Sequence, residues 1–138
     1  MQKLSVLIVD DESLARDLVK TYLQDIPDIQ IVGECENGFE ALNSIQKNKP
    51  DLVFLDVQMP KINGFELLEV LEEKPAIIFT TAFDQYAIKA FDMSAIDYLL
   101  KPFSKERFLK ALEKAKEQLT LKEQQPSLDD LREKIDNH

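Results

Sequence analysis

Four stretches of this chain are apolar almost throughout: LSVLIV at residues 4–9, LVFL at 52–55, AIIF at 76–79 and DYLL at 97–100. A strand with one wet face alternates apolar and polar residues. Continuous runs instead predict strands covered on both faces, as in a parallel sheet layered between helices. A fifth run, IQIVGEC at 29–35, is more mixed and predicts an edge strand. Between the runs the period lengthens. Leu14, Leu18, Tyr22 and Ile26 recur every fourth residue behind Ser13, which is able to cap a helix start. Ala41, Leu42 and Ile45 form a second stripe that stops at Pro50, and Phe65, Leu68 and Leu71 form a third after Gly64. Tyr86, Ala87, Ala90 and Phe91 make a fourth; Phe108, Leu112, Ala115 and Leu119 make the clearest one, opening at Ser104. Strand and helix thus alternate five times. The expected fold is α/β, a doubly wound five-stranded parallel sheet with right-handed crossovers and five flanking helices. Five such units favour the flavodoxin-like strand order 2-1-3-4-5.

Residues 121–138 break the pattern. They are polar, contain Pro126, and offer at most a short helix behind Ser127. They read either as a solvated extension of the fifth helix or as a linker. Residues 1–120 remain as the expected domain, and 138 residues suit one domain with a real core.

Composition narrows the chemistry. With 44% hydrophobic and 31% charged residues the chain is globular, and a net charge of -9 sets it against binding a phosphate backbone by itself. The one cysteine, Cys35, lies in an apolar-leaning run and reads as a small buried hydrophobe in a reducing compartment. The one histidine is the terminal His138, which argues against a histidine-based zinc site or general base. The first apolar run is cut by Asp10, too soon for a signal segment or a membrane span, so a cytoplasmic location with no membrane contact is expected.

In doubly wound sheets, ligands bind at the carboxyl ends of the strands where strand order reverses. The order 2-1-3-4-5 puts that crevice between strands one and three. Strand one ends in Asp10-Asp11 and strand three in Asp56. Strand four adds Thr81 with the small Ala82 after it, and strand five adds Lys101. Singly, each has a plain explanation: a helix cap, a loop acid, a buried hydroxyl, a surface lysine. Ser13 is the better cap, which leaves both acids of IVDDES free. Carboxylates this close either keep protons or bind a cation. Oxygen ligands with neither His nor Cys suit Mg²⁺, and a lysine with a hydroxyl suits the oxygens of a phosphoryl group. The set reads as a place where an Asp receives a phosphoryl group.

VDD, LDVQMP, TA and KPF, in this order and spacing, resemble the receiver domain of bacterial two-component response regulators over roughly residues 3–119. The resemblance implies Asp56 as the residue phosphorylated by a sensor histidine kinase. It implies Asp11 as a direct Mg²⁺ ligand, with Asp10 assisting and the main-chain carbonyl of Gln58 completing the protein ligands alongside Asp56. It makes Thr81 the hydroxyl that moves onto the phosphoryl group, Lys101 its pairing lysine, and Tyr98 the switch aromatic. Ala82 and Phe83 fall where they modulate the phosphoryl state, the bulky Phe83 as a shield against water. A cis Lys101–Pro102 peptide is implied too. The resemblance also implies a homodimer on activation through the face of the fourth helix, fifth strand and fifth helix, as is common in this family. The stretch TAFDQYAIKAFDMSAIDYLLKPFSKERFLKALEKA is similar, more narrowly, to receivers of LytTR (AlgR/LytR-type) regulators. Their output module is a DNA-binding domain after a polar linker, so 121–138 are expected to lead to such a domain. A stand-alone receiver or another output module fits the same residues. The enzyme alternative, a Mg²⁺-dependent aspartyl-phosphate phosphatase of haloacid dehalogenase type, wants an Asp where Gln58 stands. A nucleotide-binding fold wants a glycine-rich turn that Gly33, Gly38 and Gly64 do not form.

Overall fold

The computed structural model describes residues 3–124. Strands β1 (Leu4–Val9), β2 (Ile29–Cys35), β3 (Leu52–Asp56), β4 (Ala76–Thr81) and β5 (Asp97–Leu100) form one sheet. All its pairings are parallel, in the order β2-β1-β3-β4-β5. Helices α1 (Ser13–Leu23), α2 (Gly38–Asn48), α3 (Gly64–Val70), α4 (Ala87–Asp92) and α5 (Lys105–Gln124) connect and follow them, with a single 3-10 turn at Asp84–Tyr86 before α4. The doubly wound prediction holds in element order and topology.

The continuous apolar runs are explained by two cores, one on each face of the sheet. Leu7, Val9, Val53, Leu55, Ile77 and Phe79 point to the core shared with α2, α3 and α4. Their neighbours Val6, Ile8, Leu52, Phe54 and Ile78 point to the core shared with α1 and α5. Phe54 stacks on Phe108 of α5 at 5.0 Å between centroids, and Phe103 stacks on the same ring at 6.0 Å. Cys35 is buried, and desolvation pushes its thiol upward, as a small core hydrophobe requires.

Four local expectations need correction. Ser13 is the first residue of α1 and caps nothing; the N-cap is Glu12, whose side chain makes no capping bond. The turn out of β1 is closed instead by Asp10, whose Oδ1 accepts the Glu12 backbone N–H at 3.0 Å. The four-residue row along α1 holds in part: Leu18, Tyr22 and Ile26 pack against the core beside the buried Val19 and Leu23. Leu14 is 81% exposed, because a helix turns once in about 3.6 residues and such a row drifts off one face. In the six-residue α4 only Ala90 is buried, and Phe91 is 82% exposed. Finally β5, read as covered on both sides, is the second sheet edge, with Leu99 buried and Leu100 exposed. The fifth helix also continues to Gln124, four residues into the stretch assigned to the tail. Pro126 and the Ser127 cap lie outside the described residues.

The start of α3 bears directly on the end of β3. The Gly64 N–H donates to the Val57 carbonyl at 2.8 Å, and a Cβ built on Gly64 would meet the Asp56 carbonyl oxygen at 2.6 Å. Asn63 and Glu66 close a reciprocal capping box over the same turn. Gly64→Ala is therefore expected to cost stability, about 1–3 kcal/mol as for other overpacked sites, because the obstacle is backbone. Urea unfolding checks this, and a wild-type midpoint would contradict it.

Candidate functional site

Four of the five strands, all but β2, deliver one group each to the same end. Asp10 follows β1 and is anchored by its N–H to the Cys35 carbonyl of β2 at 3.0 Å. Asp56 is the last residue of β3, paired in register with Thr80. Thr81 is the last residue of β4 and fully buried; its carbonyl accepts the Lys101 N–H at 2.7 Å. Lys101 follows β5 directly, and the Lys101–Pro102 peptide is cis.

Side chains close the arrangement. Carboxylate oxygens of Asp10, Asp11 and Asp56 lie within 4.8 Å of one another. Asp10 and Asp56 are buried and Asp11 is exposed, so the cluster opens to solvent on the Asp11 side. The Lys101 ammonium lies 2.8 Å from Asp10 Oδ2, 3.7 Å from Asp56 Oδ2 and 4.0 Å from Glu12 Oε1. Arg16 contributes without touching a carboxylate of the cluster: its Nη1 donates to the Asp10 carbonyl at 2.7 Å and its Nε to Glu34 at 3.3 Å.

The electrostatics follow from burial and crowding. Desolvation, then the Asp10 charge, push the Asp56 carboxyl up to about 8, with Asp11 adding to the rise and Lys101 opposing it. Burial works against the Lys101 ammonium, but the Asp10 hydrogen bond and the charges of Asp56, Asp10 and Glu12 outweigh it and hold its pKa above the ordinary lysine value. Asp56 is thus a carboxylate that needs more positive charge than one lysine supplies. All-oxygen donors, closely spaced and open on one side, fit a hard divalent cation.

The remaining expected residues surround this centre. The Gln58 N–H points at Asp56 Oδ1 at 3.3 Å, and its side-chain amide donates to the Tyr86 hydroxyl at 2.7 Å. Thr81 Oγ1 accepts the Phe83 N–H at 3.3 Å. Ala82 and Phe83 are exposed beside it. The Tyr98 ring packs against the core on the α4 side, and its hydroxyl donates to the Phe83 carbonyl. Burial raises the Tyr98 pKa against hydrogen bonds from the Tyr86 backbone and the Thr81 side chain. One further acid belongs to this edge. Asp97 takes both Arg107 Nη1 at 2.9 Å and Nη2 at 2.7 Å, with Lys114 at 3.5 Å. Burial pulls the Asp97 carboxyl up, but these partners and the Tyr98 N–H win and hold it low.

Sequence reasoning named Asp10, Asp11, Asp56, Thr81 and Lys101, and the fold brings all five to one end of the sheet. It missed Arg16 and Tyr86. Arg16, one turn past Glu12, lay on the first turn after the acidic pair and was findable; the Tyr86 hydroxyl looked like part of a core stripe. A cleft of about 870 Å³ at the opposite ends of the strands, lined by Leu4, Pro50, Leu71, Pro75 and Leu119, contains none of these acids.

A doubly wound domain with an acidic, lysine-capped site at its switch point is the class that fold and site define. Comparison with known proteins makes it specific: residues 6–113 match the response regulator receiver domain, and the chain belongs to that family. It is 50% identical over 117 residues to the transcriptional regulatory protein BtsR of Escherichia coli (strain K12), covering 83% of this chain and 49% of that protein. It is 49% identical over 118 residues to the sensory transduction protein LytT of Bacillus anthracis, covering 83% and 48%. The chain therefore spans about half the length of these relatives. Among solved structures, the receiver domain of AraT from Geobacillus stearothermophilus superposes with a TM-score of 0.80 at 31% identity, over 88% of this chain and 98% of that one. The response regulatory domain of MrkE from Klebsiella pneumoniae gives 0.76 at 35% identity, over 88% and 99%. The phosphatase alternative finds no support in these matches. Among the described residues no helix is long and apolar enough to cross a membrane.

An unfolded aspartate titrates near 3.8, and folded Asp56 near 8. Between these values the folded chain holds the extra proton, so its stability falls as pH rises through that window. In chelator, Asp56→Asn stays neutral. Its advantage over the wild type is expected to grow from about pH 5 to about pH 8 and then level off. Parallel melts across that range check it, and a difference independent of pH would contradict it.

Proposed function

We propose that Asp56 is the phosphoacceptor of a signalling switch and receives its phosphoryl group from a phosphohistidine of a sensor histidine kinase. The observation that carries this reading is a buried Asp56 held against one lysine and two further carboxylates within 4.8 Å. An Asp56 oxygen bonds to phosphorus as the phosphorus–nitrogen bond breaks, giving an acyl phosphate and returning the donor histidine. Asp10, Asp11, Asp56 and the Gln58 main-chain carbonyl would hold Mg²⁺, which would supply positive charge against the carboxylates and the transferred oxygens. Lys101 reaches the same oxygens from the other side, and in the phosphorylated chain the Thr81 hydroxyl turns toward them.

Tyr98 links this event to the surface. It shares β5 with Leu100, while Ile88 and Phe91 stand out from α4. The phosphoryl group favours one of two arrangements of the α4-β5-α5 face, and that face forms a homodimer. The output is transcriptional, delivered to DNA through a LytTR-type domain that residues 121–138 lead to. Two relatives of twice the length, a transcriptional regulator and a sensory transduction protein, support this. The chain catalyses only its own phosphorylation and dephosphorylation, and it works in the cytoplasm.

Acetyl phosphate with Mg²⁺ is expected to label the wild-type chain, and both Asp56→Asn and chelation of the metal are expected to abolish the label. Intact mass measurement reads it. Labelling of Asp56→Asn at the wild-type level would contradict the assignment.

A further inference from the structure

Gln58 and Tyr86 belong to different loops, yet their side chains meet. Gln58 sits two residues past Asp56 in the loop after β3. Tyr86 closes the 3-10 turn between β4 and α4. The bond between them, 2.7 Å from the Gln58 amide to the Tyr86 hydroxyl, is short for a neutral pair at an exposed edge. The Tyr86 ring is held from two sides, edge-on to Phe65 at 5.9 Å and to Phe83 at 6.2 Å. Phe65 packs in turn on Phe79 at 4.9 Å and carries the Lys89 ammonium over its face at 4.9 Å. The ring is therefore anchored on α3 and the sheet.

These contacts form a chain that bypasses Thr81. It runs from Asp56 Oδ1 to the Gln58 N–H, from the Gln58 amide to the Tyr86 hydroxyl, and from the Tyr86 ring to Phe83. The Phe83 backbone is tied by its N–H to Thr81 and by its carbonyl to the Tyr98 hydroxyl. The residue is 42% exposed, and the Tyr86 ring meets its ring edge-on.

We propose that Tyr86 is a positioning residue for the phosphoryl site: its hydroxyl latches the loop after β4 to the loop after β3 and so keeps the Phe83 ring between solvent and the acyl phosphate. This rests on Asp56 being the phosphoacceptor. Hydrolysis requires a water oxygen to bond to phosphorus while the bond from phosphorus to the Asp56 oxygen breaks. The products are inorganic phosphate and the free carboxylate, with the water protons passing to phosphate and solvent. The latch bears on the approach of that water and leaves the phosphoryl donor's approach alone.

Tyr86→Phe keeps the ring and its packing and removes only the hydroxyl. Labelled with acetyl phosphate and Mg²⁺, then freed of donor, this variant is expected to lose phosphate about three- to tenfold faster than wild type, the scale of one hydrogen bond. Its initial rate of labelling is expected to match wild type. Gln58→Ala is expected to quicken the loss by the same factor, and the double variant no further, because the two residues act through one bond. A wild-type lifetime in Tyr86→Phe, or additive effects of the two substitutions, would overturn the latch and leave the role of Asp56 standing. Absence of label in the wild-type chain would overturn both.

Discussion

Three carboxylates held within 4.8 Å of one another, with one ammonium 2.8 Å from the nearest, set the terms for the rest of this molecule. Backbone, not side-chain attraction, holds them there. Asp10 hangs on the β2 carbonyl of Cys35, Asp56 ends the central strand, and Lys101 is bonded through its N–H to the end of β4. The two apolar cores fix those strand ends, so hydrophobic burial on both faces of the sheet supports the crowding at its edge. The raised Asp56 pKa is the mark of that crowding: the carboxylate is at a disadvantage until further positive charge arrives. A divalent cation held by the three carboxylates would supply that charge.

The same geometry decides which part of the fold is free to move. Thr81 is fully buried at the strand end, Tyr98 lies within the short β5, and Lys101 follows it directly. Asp97, pinned by Arg107 and Lys114, ties β5 to α5. The loop before α4 carries both Phe83 and Tyr86, and α4 itself sends only Ala90 into the core. A helix held by one small buried side chain is cheap to move, whereas β3 and β4, buried along nearly their whole length, are not. Motion is therefore expected where α4 meets β5.

Much of this was legible in the residues, for identifiable reasons. Runs such as LVFL are apolar on both faces because Val53 and Leu55 serve one core while Leu52 and Phe54 serve the other. Strand-end acids were visible because apolar runs stop abruptly at Asp10 and Asp56. What stayed hidden depends on three-dimensional closure. DYLL reads like an interior strand, but an edge is defined by the absence of a neighbour, which no local pattern encodes. Ser13 has the right chemistry for a cap, yet the helix begins one residue earlier, with Glu12 at the N-cap and Ser13 already helical. Tyr86 was read as core because its ring is apolar; its hydroxyl has meaning only next to Gln58, 28 residues away.

The central claim is that Asp56 itself takes up the phosphoryl group. Borohydride reduces an acyl phosphate to an alcohol and leaves free carboxylates alone. Treating the acetyl-phosphate-labelled chain with it, followed by peptide mass mapping, therefore marks the residue that was phosphorylated. The account predicts an alcohol at position 56 and unmodified Asp10 and Asp11. Reduction at Asp10 or Asp11, or none in a chain that carries label, would contradict it.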